Sequence, residues 1–275
     1  MDDRDALTAA PLLAARNLRS EIEAEAEATD RALTLTTPLV DAFARARLFH
    51  LMVPRELGGL EASSDAILDV FEELAYADGS VGWSLMANAS ATSYVSYLGR
   101  ESARSICGRP AGTLAGQFSP FATVARENGG YRVAGSFHFG SGSEHASHLG
   151  GAGFVLDAAG QPEIAADGRP RYLVFFVPRE GVVFKGNWDV LGLRGTGSFD
   201  YDVKEQHVAE DWTFSMFEFE VRSGGALFGL GPVGLAGLGH AGWGLGVAQW
   251  ALDEIVRIVQ GGRTRLGATA LKDQQ

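Results

Sequence analysis

Residues 137–148, Phe-His-Phe-Gly-Ser-Gly-Ser-Glu-His-Ala-Ser-His, concentrate the side chains in this sequence that could do chemistry. Alternate residues of a strand share a face, so Phe137, Phe139 and Ser141 would line up, with a hydroxyl beside an aromatic wall. Gly140 and Gly142 would let another group approach the backbone closely. Such a surface suits a flat heteroaromatic ring that needs one hydrogen bond at its edge. On these residues alone a strand end with a polar turn is the simpler reading. His145 and His148 lie near Glu144, but no further ligands stand at a metal-site spacing, so no metal is expected. No Gly-x-Ser-x-Gly elbow is present, and the serines near His145 have no third triad partner.

Two other stretches carry weaker signals. Residues 188–203 set Trp188 before a Gly-Arg-Gly-Thr-Gly turn and a strand; Arg194 and the glycines either shape the mouth of a site or form a surface turn. Residues 229–234, Gly-Leu-Gly-Pro-Val-Gly, match Gly-x-Gly-x-x-Gly literally. A dinucleotide site needs a strand before this motif and a βαβ unit after it, and Pro232 removes a donor where pyrophosphate would bind, so the match reads as accidental.

The elements that must hold these groups follow from periodicity. Residues 5–31 read as a helix with Leu7, Leu12, Leu13, Leu18 and Ile22 as its apolar positions. Thr37-Pro38 reads as a capped start, Ser64 or Asp65 opens another helix, and Ser80 caps the next. Past Pro110, short β-type runs alternate with Gly, Pro, Asn and Asp. Among them, residues 122–136 read as a hairpin turning at Asn128-Gly129-Gly130. From Phe217 the pattern is helical again, with Val247, Trp250, Ala251, Ile255 and Ile258 on one side. The expectation is an α+β chain: a helical domain over 1–110, an antiparallel barrel or sandwich over 111–216, and a helical segment over 217–275.

Composition narrows the classes. The 275 residues carry a net charge of −11 with no basic run, which argues against nucleic acid. The single cysteine, Cys107, excludes an internal disulfide and reads as a buried thiol. Residues 226–252 lack Asp, Glu, Lys and Arg, yet their glycines, Pro232 and His240 favour packed helices over a membrane span. The N-terminus lacks a signal pattern, so a cytoplasmic protein is expected.

The blocks VPRELGGL, EELAYADGSVGWSL, GGYRVAGSFHFGSGSEHASH, LGLRGTGSFDYDV and LGVAQWALDEIV, in this order, resemble the acyl-CoA dehydrogenase superfamily. The closer resemblance is to its flavin-dependent monooxygenase branch, the reductase-dependent hydroxylases of phenols, steroid-derived phenols and dibenzothiophene. The resemblance implies helical, β-barrel-like and helical-bundle domains. It implies a reduced flavin, FMN or FAD, from a separate NAD(P)H:flavin reductase, a small-molecule substrate and a homo-oligomer, by family a tetramer. On that resemblance Ser141 bonds the flavin N5 edge and slows peroxide loss. Gln117, Phe118 and Ser119 occupy the place of a family flavin-contacting loop, and Phe139, Gly142 and Ser143 belong to the flavin strand. Arg263 and Gln274 match a segment that reaches a neighbour's flavin. Phe137, Trp188 and Arg194 are expected to shape the substrate pocket. The sequence given stops at Gln275, where the family continues into helices that carry its catalytic base. An acyl-CoA dehydrogenase acting on acyl thioesters, or a non-catalytic shortened relative, are the alternatives; loss of the dehydrogenase Thr-Glu loop counts against the first.

Overall fold

A computed structural model describes residues 3–109 and 111–261. Five helices come first: α1 (Asp3–Ala32), α2 (Thr37–Arg45), α3 (Ser64–Ala77), α4 (Gly79–Thr92) and α5 (Arg100–Cys107). α1 buries Ala15, Ile22 and Thr29 at heptad spacing, while Leu13 faces outward. The cap of α2 is Thr36 rather than Thr37, with Pro38 in the first turn. Ser63 caps α3 through the Ala66 N–H. At α4 the cap is Asp78, not Ser80: its carboxylate accepts from Val81 N at 2.9 Å, because the extended residue at the α3–α4 junction is Asp78.

Seven strands follow: β1 (Leu114–Glu127), β2 (Gly130–Gly140), β3 (His148–Leu156), β4 (Tyr172–Pro178), β5 (Val182–Phe184), β6 (Phe199–Ala209) and β7 (Thr213–Ser215). They form one sheet in the order β5-β6-β2-β1-β3-β4-β7. The hairpin at Asn128-Gly129 is present, with Glu127 opposite Gly130. The sheet is not wholly antiparallel: β1 and β3 run parallel, joined through all of β2, and the other pairs are antiparallel. Its two faces serve two cores. On β4, Val174 and Phe176 pack into the helical core, while Leu173, Phe175 and Val177 join Val124, Val133, Phe137 and Tyr201 in a second one.

α6 (Gly231–Gln260) closes the described chain and lies on α3 and α4. Its buried stripe is Leu235, Gly239, Gly242 and Gly246. The bulky side noted in the sequence faces outward, with Trp250, Ile255 and Ile258 all substantially exposed. The cause is close backbone approach: a Cβ on Gly246 would stand 2.2 Å from the Glu72 carbonyl oxygen of α3. Among the described residues, no helix is long and apolar enough to cross a membrane.

Candidate active site

The site begins where β2 departs from regular pairing. Phe137 faces Tyr201 and Gly140 faces Phe199, so His138 and Phe139 together oppose the single residue Asp200. This is a β-bulge, and Phe139 takes the left-handed conformation at φ 60°. Asp200 holds it there, accepting from Phe139 N at 3.3 Å while bonded to His138 Nδ1 at 2.8 Å and accepting from Asn187 Nδ2 at 2.9 Å. The alternation expected for 137, 139 and 141 therefore fails. Phe137 is fully buried and stacks on Tyr201, with ring centroids 5.2 Å apart, so it does not line a pocket. Phe139 is turned outward and 67% exposed.

Beyond the bulge, Ser141 is almost buried and tied on two sides. Its Oγ accepts from Trp83 Nε1 of α4 at 2.9 Å and lies 2.7 Å from Ser198 Oγ. Ser198 Oγ is in turn 2.7 Å from Thr196 Oγ1, which donates to the Leu193 carbonyl at 2.8 Å.

Ser141 and Phe139 line one side of a cavity of about 160 Å³ between the β2 end, α4 and α6. α4 and the turn after it supply Trp83, Met86, Ser90 and Tyr94. Phe118 of β1 meets the Tyr94 ring edge at 5.2 Å, and His240 of α6 meets Trp83 at 5.5 Å. None of the described residues lining it is Asp, Glu, Lys or Arg. Burial raises the Tyr94 phenol well above its ordinary pKa, and its OH donates to Pro232 O. His240 bonds Ala236 O through Nδ1 at 2.8 Å. Ser90 Oγ is buried with no partner.

The other sequence candidates divide. Gln117 and Ser119 lie beside the cavity's Phe118 but bond each other, through Gln117 Nε2 to Ser119 Oγ at 2.7 Å and Ser119 N to Gln117 Oε1 at 2.8 Å. Trp188 reaches the Phe139 ring edge at 6.3 Å and donates to Arg194 O, so it stands at the rim. Arg194 does not line the cavity; its guanidinium bends back to Val190 O at 3.0 Å, closing its own turn. Gly142 and Ser143 turn away as well. A Cβ on Gly142 would meet Asn88, and the buried Ser143 donates to Gly197 O. His145 and His148 are separated, one bonded to Asn88 Oδ1 at 2.7 Å and the other stacked on Trp212. The Gly-x-Gly-x-x-Gly match spans a 3-10 turn and the first turn of α6, with no strand leading into it, so the dinucleotide context is missing. Arg263 and Gln274 lie outside the described residues.

Sequence reasoning missed Trp83, Ser90, Tyr94, Thr196, Ser198 and His240 as parts of this site. A signal existed for α4: Ser80, Ser84, Asn88 and Thr92 recur at i+4 inside an otherwise apolar helix, which marks buried polar work.

The family model for the acyl-CoA dehydrogenase N-terminal domain matches residues 12–106, so this part of the chain is an acyl-CoA dehydrogenase N-terminal domain. Several similar proteins are named as monooxygenases, some of them flavin-dependent. Indole-3-acetate monooxygenase of Pseudomonas putida is 31% identical over 251 residues, covering 89% of this chain and 61% of the relative. The flavin-dependent monooxygenase oxygenase subunit HsaA of Mycobacterium tuberculosis is 32% identical over 199 residues, or 72% of this chain and 48% of that protein. The crystal structure of the M. tuberculosis HsaA monooxygenase superimposes with a TM-score of 0.79 at 27% identity, over 96% of this chain and 69% of that one. The chain thus spans 61% or less of the length of these two curated relatives.

Proposed function

We propose that the chain is the oxygenase component of a two-component flavin-dependent monooxygenase that hydroxylates a small aromatic or heteroatom-bearing substrate. The observation that carries this reading is the uncharged aromatic cavity with the Ser141 hydroxyl on its wall. The names of the relatives support it.

The residues present fit a flavin. Phe139 offers an exposed aromatic face, Ser141 a hydroxyl at its edge, and Ser90 Oγ an unpaired buried polar atom in the same cavity. Phe118, Phe139 and Ser141 would hold the ring, with Gln117 and Ser119 beside it. A reduced flavin, FMN or FAD, supplies the activation of dioxygen when bound. The chain's own part is threefold. Ser141 accepts a proton-bearing edge. Trp83, Tyr94 and Phe118 keep water from the reacting centre. His240 closes the α6 side of the same cavity, its ring edge against Trp83. A separate NAD(P)H:flavin reductase, a cytoplasmic setting and a homo-oligomer, a tetramer by family, complete the reading. The exposed apolar face of α6 is consistent with assembly.

The test is turnover of phenols and indoles by the purified full chain with NADH and flavin, with and without an added reductase. Hydroxylated product should appear only with the reductase. Ser141→Ala should lower product per reduced flavin about fivefold, the value of one hydrogen bond. Robust NADH oxidation by the chain and flavin alone would overturn the proposal.

A further inference from the structure

The hydroxyls behind Ser141 form a chain whose direction is fixed at its far end. The Leu193 carbonyl can only accept, so Thr196 Oγ1 must give it its one proton. Thr196 then accepts from Ser198, whose single proton is spent there. Ser198 must therefore accept from Ser141. Trp83 Nε1, which can only donate, fills one of the two lone pairs of Ser141. What remains to Ser141 on the cavity side is one lone pair and no proton.

From this we infer that Thr196 and Ser198 are positioning residues that make Ser141 an obligate acceptor, and so make the site select a reduced flavin over an oxidised one. The inference rests on the flavin reading above. Reduced flavin carries a hydrogen on N5 and donates from it; oxidised flavin presents a bare N5 lone pair. An acceptor-only hydroxyl bonds the first and opposes the second. Without the relay, Ser141 could rotate and donate, and the preference would be lost. The wiring is well protected: Thr196 is 1% and Ser198 3% exposed, so water has little chance of reversing it. Gly142 N donates to Thr196 O at 2.9 Å, tying the relay's loop to the strand end that carries Ser141.

Anaerobic titrations of the full chain with FMN and with FAD, each oxidised and photoreduced, give the ratio of the two dissociation constants. The wild type should bind the reduced form more tightly. Ser198→Ala should shrink the ratio about fivefold by freeing the Ser141 proton. Thr196→Val should do the same, because Ser198 then turns its proton onto Ser141. Thr196→Ser, which keeps the hydroxyl, should restore the wild-type ratio, and a loss of packing alone would not follow that pattern. If Ser198→Ala does not fold, the Thr196 pair decides. A wild-type ratio in Thr196→Val, with reduced flavin still bound, overturns the relay and leaves the flavin reading standing. A wild type that binds neither redox form overturns both.

Discussion

α4 and α6 both wall the cavity, and both read as apolar, Gly- and Ala-rich sequence, yet they are buried in different ways. α4 is buried on nearly every side, between α3, α6, β1 and the turn at 194–196, and keeps only Gly79, Trp83 and Ala87 partly open. α6 hides a stripe of small residues and turns Leu245, Trp250, Leu252, Ile255 and Val256 to the outside. Hydrophobicity alone does not choose the buried face. Backbone approach does: the side with no side chains comes closest to α3, and the bulky side is left out.

That contrast breaks most sharply at Gly246. Its missing Cβ leaves room for the Glu72 carbonyl, which is helix backbone and cannot step aside as a side chain could. Gly246→Ala should force α6 away from α3 and destabilise the protein by about 3 kcal/mol, despite the better helix propensity of alanine. Urea unfolding checks it. A change within about 0.5 kcal/mol would mean that the helices separate freely and that the glycine stripe does not hold them.

The legible parts of the sequence were those with strong local signals. The helices opening at Thr37-Pro38 and at Ser64, the Asn128-Gly129 hairpin and the alternating strand at 199–203 follow from start signals, turn residues and period, although the capping residues themselves fall one or two positions earlier. The lack of a dinucleotide context around 229–234 was also legible. What was not legible depends on one-residue shifts or on distant partners. Phe137 and Phe139 part company because an extra residue in β2 breaks the alternation, and only the pairing with β6 reveals it. The relay at Ser141 joins residues from three segments, 83, 141 and 196–198, which no local pattern connects. Which side of α6 meets α3 is not legible either, because a glycine contributes only the space it leaves, and that space shows only against its neighbour.

The interior of α4 predicts a pH effect of intermediate size. Asn88 donates to Leu114 O and Gly142 O, so its Oδ1 must receive the His145 Nε2–H. Burial, with a smaller push from Arg179, lowers the His145 pKa to about 4. The unfolded imidazole takes a proton near its ordinary 6.5. Stability is therefore fully present above that value and falls with pH through the window from 6.5 down to about 4. Between pH 6.5 and 5 this one group should cost about 1.5 kcal/mol. His50 and His148, also lowered chiefly by burial, add to the same slope. His145→Gln keeps a donor for Asn88 but does not titrate. Its unfolding free energy should vary less across this window than the wild type's, and parallel profiles would remove His145 from the account.

The smallest effect on folding is expected on the outer face of α6. Trp250 is 50% exposed and Leu252 60% exposed. Their substitution removes little that folding buries within one chain, in contrast to the single methyl group added at Gly246. Trp250→Ser together with Leu252→Ser should change unfolding stability by less than about 1 kcal/mol at low protein concentration. If this face meets another copy of the chain, the double substitution should instead shift the molecular mass seen by light scattering and remove any concentration dependence of Tm. The two readouts separate the roles of the two helix faces. A loss of several kcal/mol in dilute solution would show that the bulky side of α6 stabilises the single chain as strongly as its glycine side, and the contrast between the faces would fall.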